Sequence, residues 1–315
     1  MSTLWLHTRL AIAIAIMFAI IYGFITLIAY LLGFAYPVPL AIFAFLIMLI
    51  QYITGPKMVE MSMRVRYIKR EDNPRLYDMV ERLSNAAGIP MPRVGISQIQ
   101  VPNAFAFGRS RKDGRVCVTL GLLKRLNDEE LEAVLGHELS HLRHRDMVVI
   151  TTLSVIPLIC YFIFWSFLWG RGRRDEGAVI ALIAFFLYML TNLIVLYVSR
   201  IREYYADYGS VELTGKPYAL ASALYRITLD TTRIDEKELK KVEGAKAFLA
   251  TDPSTARRDV SDLREADMNL DGHLDMYEVE RFAERAKVTT ADKILEIFSS
   301  HPNMVERVKK LASIK

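Results

Sequence analysis

The chemistry of this chain concentrates in His137-Glu138-Leu139-Ser140-His141. Two histidines four residues apart share one face of a helix, so both imidazoles can reach one ion. Neutral imidazoles suit zinc, and a catalytic zinc keeps one position open for water. The expectation is one Zn2+ per subunit on His137 and His141, with Glu138 as the general base that completes activation of a water. A third ligand is available in the stretch 199–207, directly after an apolar run. Glu203 and Asp207 lie four apart there, on one helical face. Glu203 is the expected third ligand, and Asp207 can hydrogen-bond the far nitrogen of a ligand histidine. Taken alone the pair is also what a solvated helix face carries. Its place at the end of a hairpin that begins just after His141 favours the metal.

A second motif spans 267–278 and fits an EF-hand loop. Asp267, Asn269 and Asp271 occupy the first three liganding positions, and Gly272 falls at the sharp turn. His273 would offer its carbonyl, Asp275 would act through water, and Glu278 would bind bidentately. Residues 260–266 and 277–286 read as flanking helices. The expectation is a Ca2+ ion, against a competing reading as a solvated acidic turn. No second loop is found; 230–241 fails at several positions. A lone loop is then weak, paired across a dimer, or packed on the body of the protein.

These residues need elements to hold them. The 315 residues are 52% hydrophobic and still 24% charged, which implies apolar spans beside polar domains. Lys and Arg number 40 against 35 acids, with no long basic run, so a nucleic-acid partner has no support and none is expected. Cys117 and Cys160 make no disulfide framework and read as buried thiols. Residues 10–56 carry no charge and no histidine, enough for two membrane spans, about 10–32 and 36–54, with Gly33, Pro37 and Pro39 between them. Two further charge-free runs, 147–170 and 177–199, form a second hairpin, with Pro157 marking a kink in the first. Lys57, Arg64, Arg66, Lys69 and Arg70, then Arg143, Arg145, Arg200 and Arg202, flank the spans on one side, which is therefore cytoplasmic; Arg171, Arg173 and Arg174 run mildly against this. A second hairpin that does not cross keeps the same sidedness.

Between the hairpins, Asn73-Pro74 starts a helix whose Leu76, Met79, Val80, Leu83 and Ala87 repeat at helical spacing until Gly88. Segments 93–97, 104–108 and 115–119 read as strands, with 112–114 as a turn. Asn127 and Glu130 form a capping box at the start of the helix that carries His137 and His141, which is expected to continue into the third span. His144, one turn on, reads as a surface residue, and His7 and His273 have no place in the zinc site.

With HELSH at 137–141, the stretch at 199–207, NAFAFG at 103–108 and SHPNMVER at 300–307, the chain resembles the HtpX-type membrane zinc metalloproteases, relatives of the Ste24 CAAX proteases and Oma1. The resemblance covers all but about 251–292. It implies that Asn103, Ala104 and Phe105 belong to an edge strand that binds substrate backbone by strand addition. It also implies that His301 stabilises the oxyanion and that Arg307 accompanies it; His301 also fits a plain residue ahead of a helix.

The fold expected is a mainly α membrane protein with four transmembrane helices, a zincin-like cytoplasmic metalloprotease domain with a small sheet, and an EF-hand-like insertion. Its segments are 1–56 (hairpin), 57–146 (protease, first part), 147–199 (hairpin), 200–250 (protease, second part), 251–292 (insertion) and 293–315 (C-terminal protease segment). The activity expected is cleavage of misfolded or damaged membrane proteins at the cytoplasmic face of the plasma membrane, tuned by calcium. A Ste24-like processing protease, a non-proteolytic adaptor and a calcium-sensing scaffold are the alternatives. The oligomeric state is not fixed by the sequence.

Overall fold

A computed structural model describes residues 12, 16, 37–169, 174–233 and 256–314. The chain divides into two units, 1–55 with 148–201, and 56–147 with 202–315.

In the first unit, helix α1 (Pro37–Ser62) takes in the expected second span and runs on through Pro56 into the second unit. Of the first span only Ile12 and Ile16 are among the described residues. Helices α5 (Asp146–Trp169) and α6 (Arg174–Thr214) form the hairpin. Leu153 and Ile156 pack with Val198, and Cys160 and Ile163 pack with Ile180 and Ala184, so the two run antiparallel. Both are long and apolar enough to cross a membrane. Their outward side chains are apolar as well: Leu182 is 69% exposed and Phe186 65%.

In the second unit, β1 (Val65–Tyr67), β2 (Arg93–Ser97), β3 (Ala104–Phe107) and β4 (Arg115–Thr119) form a sheet of order β1-β2-β4-β3. β2 and β4 are parallel, with Arg93 opposite Arg115; β1 and β3 are antiparallel edges. β1 was not expected, because three residues between charged neighbours give no alternation to read. Helix α2 (Pro74–Ala86) begins as foreseen, the Leu76 N–H donating to Asn73 Oδ1 at 3.1 Å. After the short α3 (Leu120–Leu123), α4 (Asp128–His144) carries the histidine motif, and its capping box is complete. Helices α7 (Pro217–Thr232), α8 (Ala256–Leu263), α9 (Met276–Arg285), α10 (Thr290–Ile297) and α11 (Met304–Ala312) complete the unit.

One core joins these pieces. Leu76, Val80 and Leu83 of α2 meet Leu135 and Leu139 of α4, Val116 and Val118 of β4, Leu220 and Leu224 of α7, and Val308 and Leu311 of α11. Leu263, Leu274, Val279 and Phe282 belong to the same core, so the described part of the 251–292 insertion packs into the body of the unit. One expectation is corrected. α4 does not continue into α5: Arg145 adopts left-handed φ 58°, ψ 39°, ending one helix before the next begins at Asp146. Sequence alone favours continuation, because arginine is not the residue expected in that conformation.

Candidate metal centre

α4 supplies His137, Glu138 and His141, and the end of α6 supplies Glu203 and Asp207. The two helices approach across small residues. A Cβ on Gly209 of α6 would stand 2.0 Å from Ser140 Oγ and 2.7 Å from Ser140 Cβ, so only glycine allows this separation. Ser210 Oγ donates to the Ala133 carbonyl at 2.6 Å, one turn before the motif. The buried Ser140 and Ser210 thus line a seam that sets the distance between ligand-bearing helices.

At that seam His137, His141 and Glu203 each bring one ligand atom within 4.8 Å of the others, the one such group among the described residues. The two Nε2 atoms are 3.1 Å apart. Glu203 lies 3.7 Å from His137 Nε2 and 3.5 Å from His141 Nε2. Two imidazole nitrogens and a carboxylate, all turned inward and nearly buried, are a donor set that fits a divalent transition metal. The outer nitrogens are held too. His137 Nδ1 is 3.0 Å from Asp207, and His141 Nδ1 is 2.7 Å from Asp146.

Two arginines back these carboxylates. Arg307 on α11, 1% exposed, donates to both oxygens of Asp207 at 3.0 and 2.6 Å and lies 3.4 Å from Glu203. Arg202 pairs with Asp146. His301 Nδ1 stands 3.5 Å from Glu203. The charge-free part of α6 ends at Ser199, so Glu203 and Asp207 lie beyond it. Burial opposes the charge of Glu203, yet His301, Arg307 and His141 together hold its carboxyl well below the usual range. Burial likewise opposes Asp207, and Arg307 and His137 hold it down.

The remaining expected residues fall as follows. Glu138 is 7% exposed on α4. Its charge, after burial and Glu60, helps push the Cys117 thiol on β4 up. Ala104 and Phe105 lie on β3, an edge of the sheet, which packs against α4. Asn103 immediately precedes it. All three are buried, and the Asn103 backbone exchanges two hydrogen bonds of 2.9 Å with Thr119. His301 precedes the N-cap residue Asn303 of α11. His144 is not a surface residue. Its Nδ1 lies 3.3 Å from Ser140 Oγ, its ring lies beside Tyr205, and burial with Arg202 and Arg143 pulls its pKa down to about 4. His7 lies outside the described residues.

The 267–278 loop joins α8 to α9, with Gly272 at φ +82° in its turn. Its acids bind the loop's own backbone. Asp267 accepts from the N–H groups of Asp271 and Gly272, and Glu278 from those of Met268, Asn269 and Asp275. Asn269, Asp271 and Asp275 also accept backbone N–H groups within the loop. The His273 side chain reaches Glu130, the capping residue of α4, at 2.8 Å, and that carboxylate also accepts from Ser222 at 2.7 Å. The loop thus touches the start of the metal-binding helix.

Sequence reasoning missed Asp146, Arg202 and the Gly209 seam. The available signal was a lone aspartate placed directly before a long charge-free run.

Residues 70–315 match the family model described as Peptidase family M48. A protein named Protease HtpX homolog from Methanothermobacter thermautotrophicus is 45% identical over 249 residues, covering 79% of this chain and 96% of the relative. Protease HtpX homolog 1 from Streptomyces coelicolor is 42% identical over 210 residues, 64% of this chain and 69% of the relative. Among solved structures, S. mikatae Ste24p shares the fold at a TM-score of 0.51 with 17% identity, over 96% of this chain; the chain spans 64% of the length of that protein.

Proposed function

Because this chain belongs to peptidase family M48, a protease of the HtpX type, we propose that it is a zinc-dependent membrane endopeptidase whose metal is held by His137, His141 and Glu203. The observation that carries the reading is the convergence of these three ligands while Asp207 and Asp146 hold the outer nitrogens of the two histidines. When bound there, zinc supplies Lewis acidity to the scissile carbonyl and to the attacking water. Glu138 takes the proton of that water and later gives it to the departing amine nitrogen. His301, beside Glu203, is placed to donate to the oxyanion, and Arg307 keeps Glu203 and Asp207 charged and in place. The substrate lies along β3 as an added strand. Asn103, Ala104 and Phe105 are buried as whole residues, backbone included, so strand addition requires the covered edge of β3 to open.

The substrates proposed are misfolded or damaged membrane proteins, cut on the cytoplasmic side of the plasma membrane. The Lys/Arg bias of the flanks supports that orientation, and four apolar spans support a multi-pass anchor. Calcium at 267–278 is the regulatory part of the proposal. Each carboxylate oxygen has two lone pairs. Asp267 Oδ1, Asp271 Oδ1 and Asp275 Oδ1 each accept one N–H and keep one for an ion, whereas Glu278 Oε1 and Asp267 Oδ2 each accept two donors and would have to exchange one for the ion. The His273–Glu130 contact would carry its effect to α4.

The test is casein cleavage by detergent-purified protein with zinc, against Glu138→Gln. The variant is expected to bind zinc normally and to lose about 10²–10⁴ in rate. Zinc binding without cleavage by the wild type would instead support a non-proteolytic adaptor. Calcium is titrated into the same assay; no change in rate or thermal stability would remove the regulatory part.

A further inference from the structure

His141 has a support that the histidine motif does not contain. Asp146 Oδ2 lies 2.7 Å from His141 Nδ1, and the other oxygen of Asp146 pairs with Arg202. Asp146 and Arg202 are each 5% exposed. Arg202 also donates to the His144 carbonyl at 3.0 Å, fixing it against the last turn of α4.

The backbone explains how Asp146 arrives there. In a continuous helix, residues five apart point about 140° away from each other, since each residue turns about 100°. An unbroken α4–α5 helix would carry Asp146 off the His141 face. Arg145, left-handed at φ 58°, turns the chain so that Asp146 folds back. A non-glycine residue held in that region is uncommon and gathers at functional sites. The arrangement also mirrors its neighbour, where Asp207 holds His137 and Arg307 holds Asp207.

We propose that Asp146 is a positioning residue of the metal centre. It accepts the His141 Nδ1–H, which fixes the tautomer and ring orientation that leave the Nε2 lone pair for the metal, and Arg202 holds Asp146 in place. This rests on the metal reading above. A role limited to the first turn of α5 would be served by an acid facing solvent and needs no imidazole. Arg202 immediately precedes Glu203, so α6 delivers a ligand and the anchor of the other histidine's support side by side.

The experiment compares Asp146→Ala with Arg202→Met in the full-length, detergent-solubilised protein. Both break the ion pair, and only the first removes the acceptor at His141. Zinc dissociation constants are measured by competition with a chromophoric chelator, and the absorption spectrum of the Co2+-substituted protein is recorded. Asp146→Ala is expected to weaken zinc about 10–100-fold and to change the cobalt bands. Arg202→Met is expected to weaken zinc by a smaller factor and to leave the bands in place. Wild-type affinity in Asp146→Ala, or equal losses in the two variants, would overturn the proposal. If Asp146→Ala does not fold, Asp146→Leu, which also offers no acceptor to His141, replaces it, and wild-type affinity with an unchanged cobalt spectrum overturns the proposal. A wild-type protein that binds no zinc would refute the metal reading itself, which the same titration reveals first.

Discussion

Replacing Arg307 by methionine removes the only guanidinium that touches both Asp207 and Glu203 among the described residues. Arg307 is 1% exposed and makes two hydrogen bonds to Asp207. Deleting one partner of a buried ion pair costs about 3–5 kcal/mol, chiefly because the other charge is left uncompensated. For a body of some 150–250 residues, 1 kcal/mol moves the melting temperature by about 2–4 °C. The expected loss is therefore roughly 6–20 °C. It is measured by thermal unfolding of chelator-treated protein, so that lost metal does not enter. The loss also has a pH signature. In the wild type both carboxyls are held below their usual range, so their contribution is complete above the unfolded values near 4 and vanishes as pH falls through the folded ones. Without Arg307 they can accept protons more readily, and the deficit of Arg307→Met narrows between pH 7.5 and pH 5. Adding Asp207→Asn to Arg307→Met restores part of the stability, since removing both charges costs less than stranding one. A melting loss under 3 °C, or a deficit equal at both pH values, would refute the reasoning.

Gly209→Ala forces a methyl group onto Ser140, an overpacking that costs about 1–3 kcal/mol. It should weaken zinc binding by separating the ligand helices, and Ser140→Gly on the same background should recover affinity in a chelator competition. The pKa of His144 is held near 4, below its unfolded value of about 6.5, so stability is complete above pH 6.5 and falls between there and pH 4. Melting temperature against pH should show that slope in the wild type and a flatter one in His144→Gln. An unchanged slope would mean that the imidazole is not the group responsible.

The candidate metal ligands His137, His141 and Glu203 were legible because they fall in two pairs at helical spacing, His137 with His141 and Glu203 with its neighbour Asp207. The caps at Asn73 and Asn127 were legible for the same reason, being short-range hydrogen-bond patterns. Strands β2, β3 and β4 carry enough β-branched and aromatic residues to be read, whereas β1 gains its place only from pairing with β2. Asp146 was hidden because its role depends on a left-handed arginine, a conformation that no residue type announced. Gly209 was hidden because a glycine within a helix usually signals weakness, and only the opposing Ser140 turns it into a spacer. His144 was misjudged because its burial comes from Tyr205 and Ser140, whose neighbourhood arises only when α6 lies along α4.

The site's residues are scattered along the chain in an order that bears on how it is made. His137, Glu138, His141 and Asp146 precede the apolar hairpin, Arg202, Glu203 and Asp207 follow it at once, and His301 and Arg307 come near the end. During synthesis, the histidine pair emerges with neither its carboxylate ligand nor the arginine that steadies it. The three candidate metal ligands cannot meet until the hairpin has been made, and the arginine that steadies Glu203 and Asp207 arrives only with the last helix. The order of residues thus ties completion of the candidate site to synthesis of the apolar hairpin.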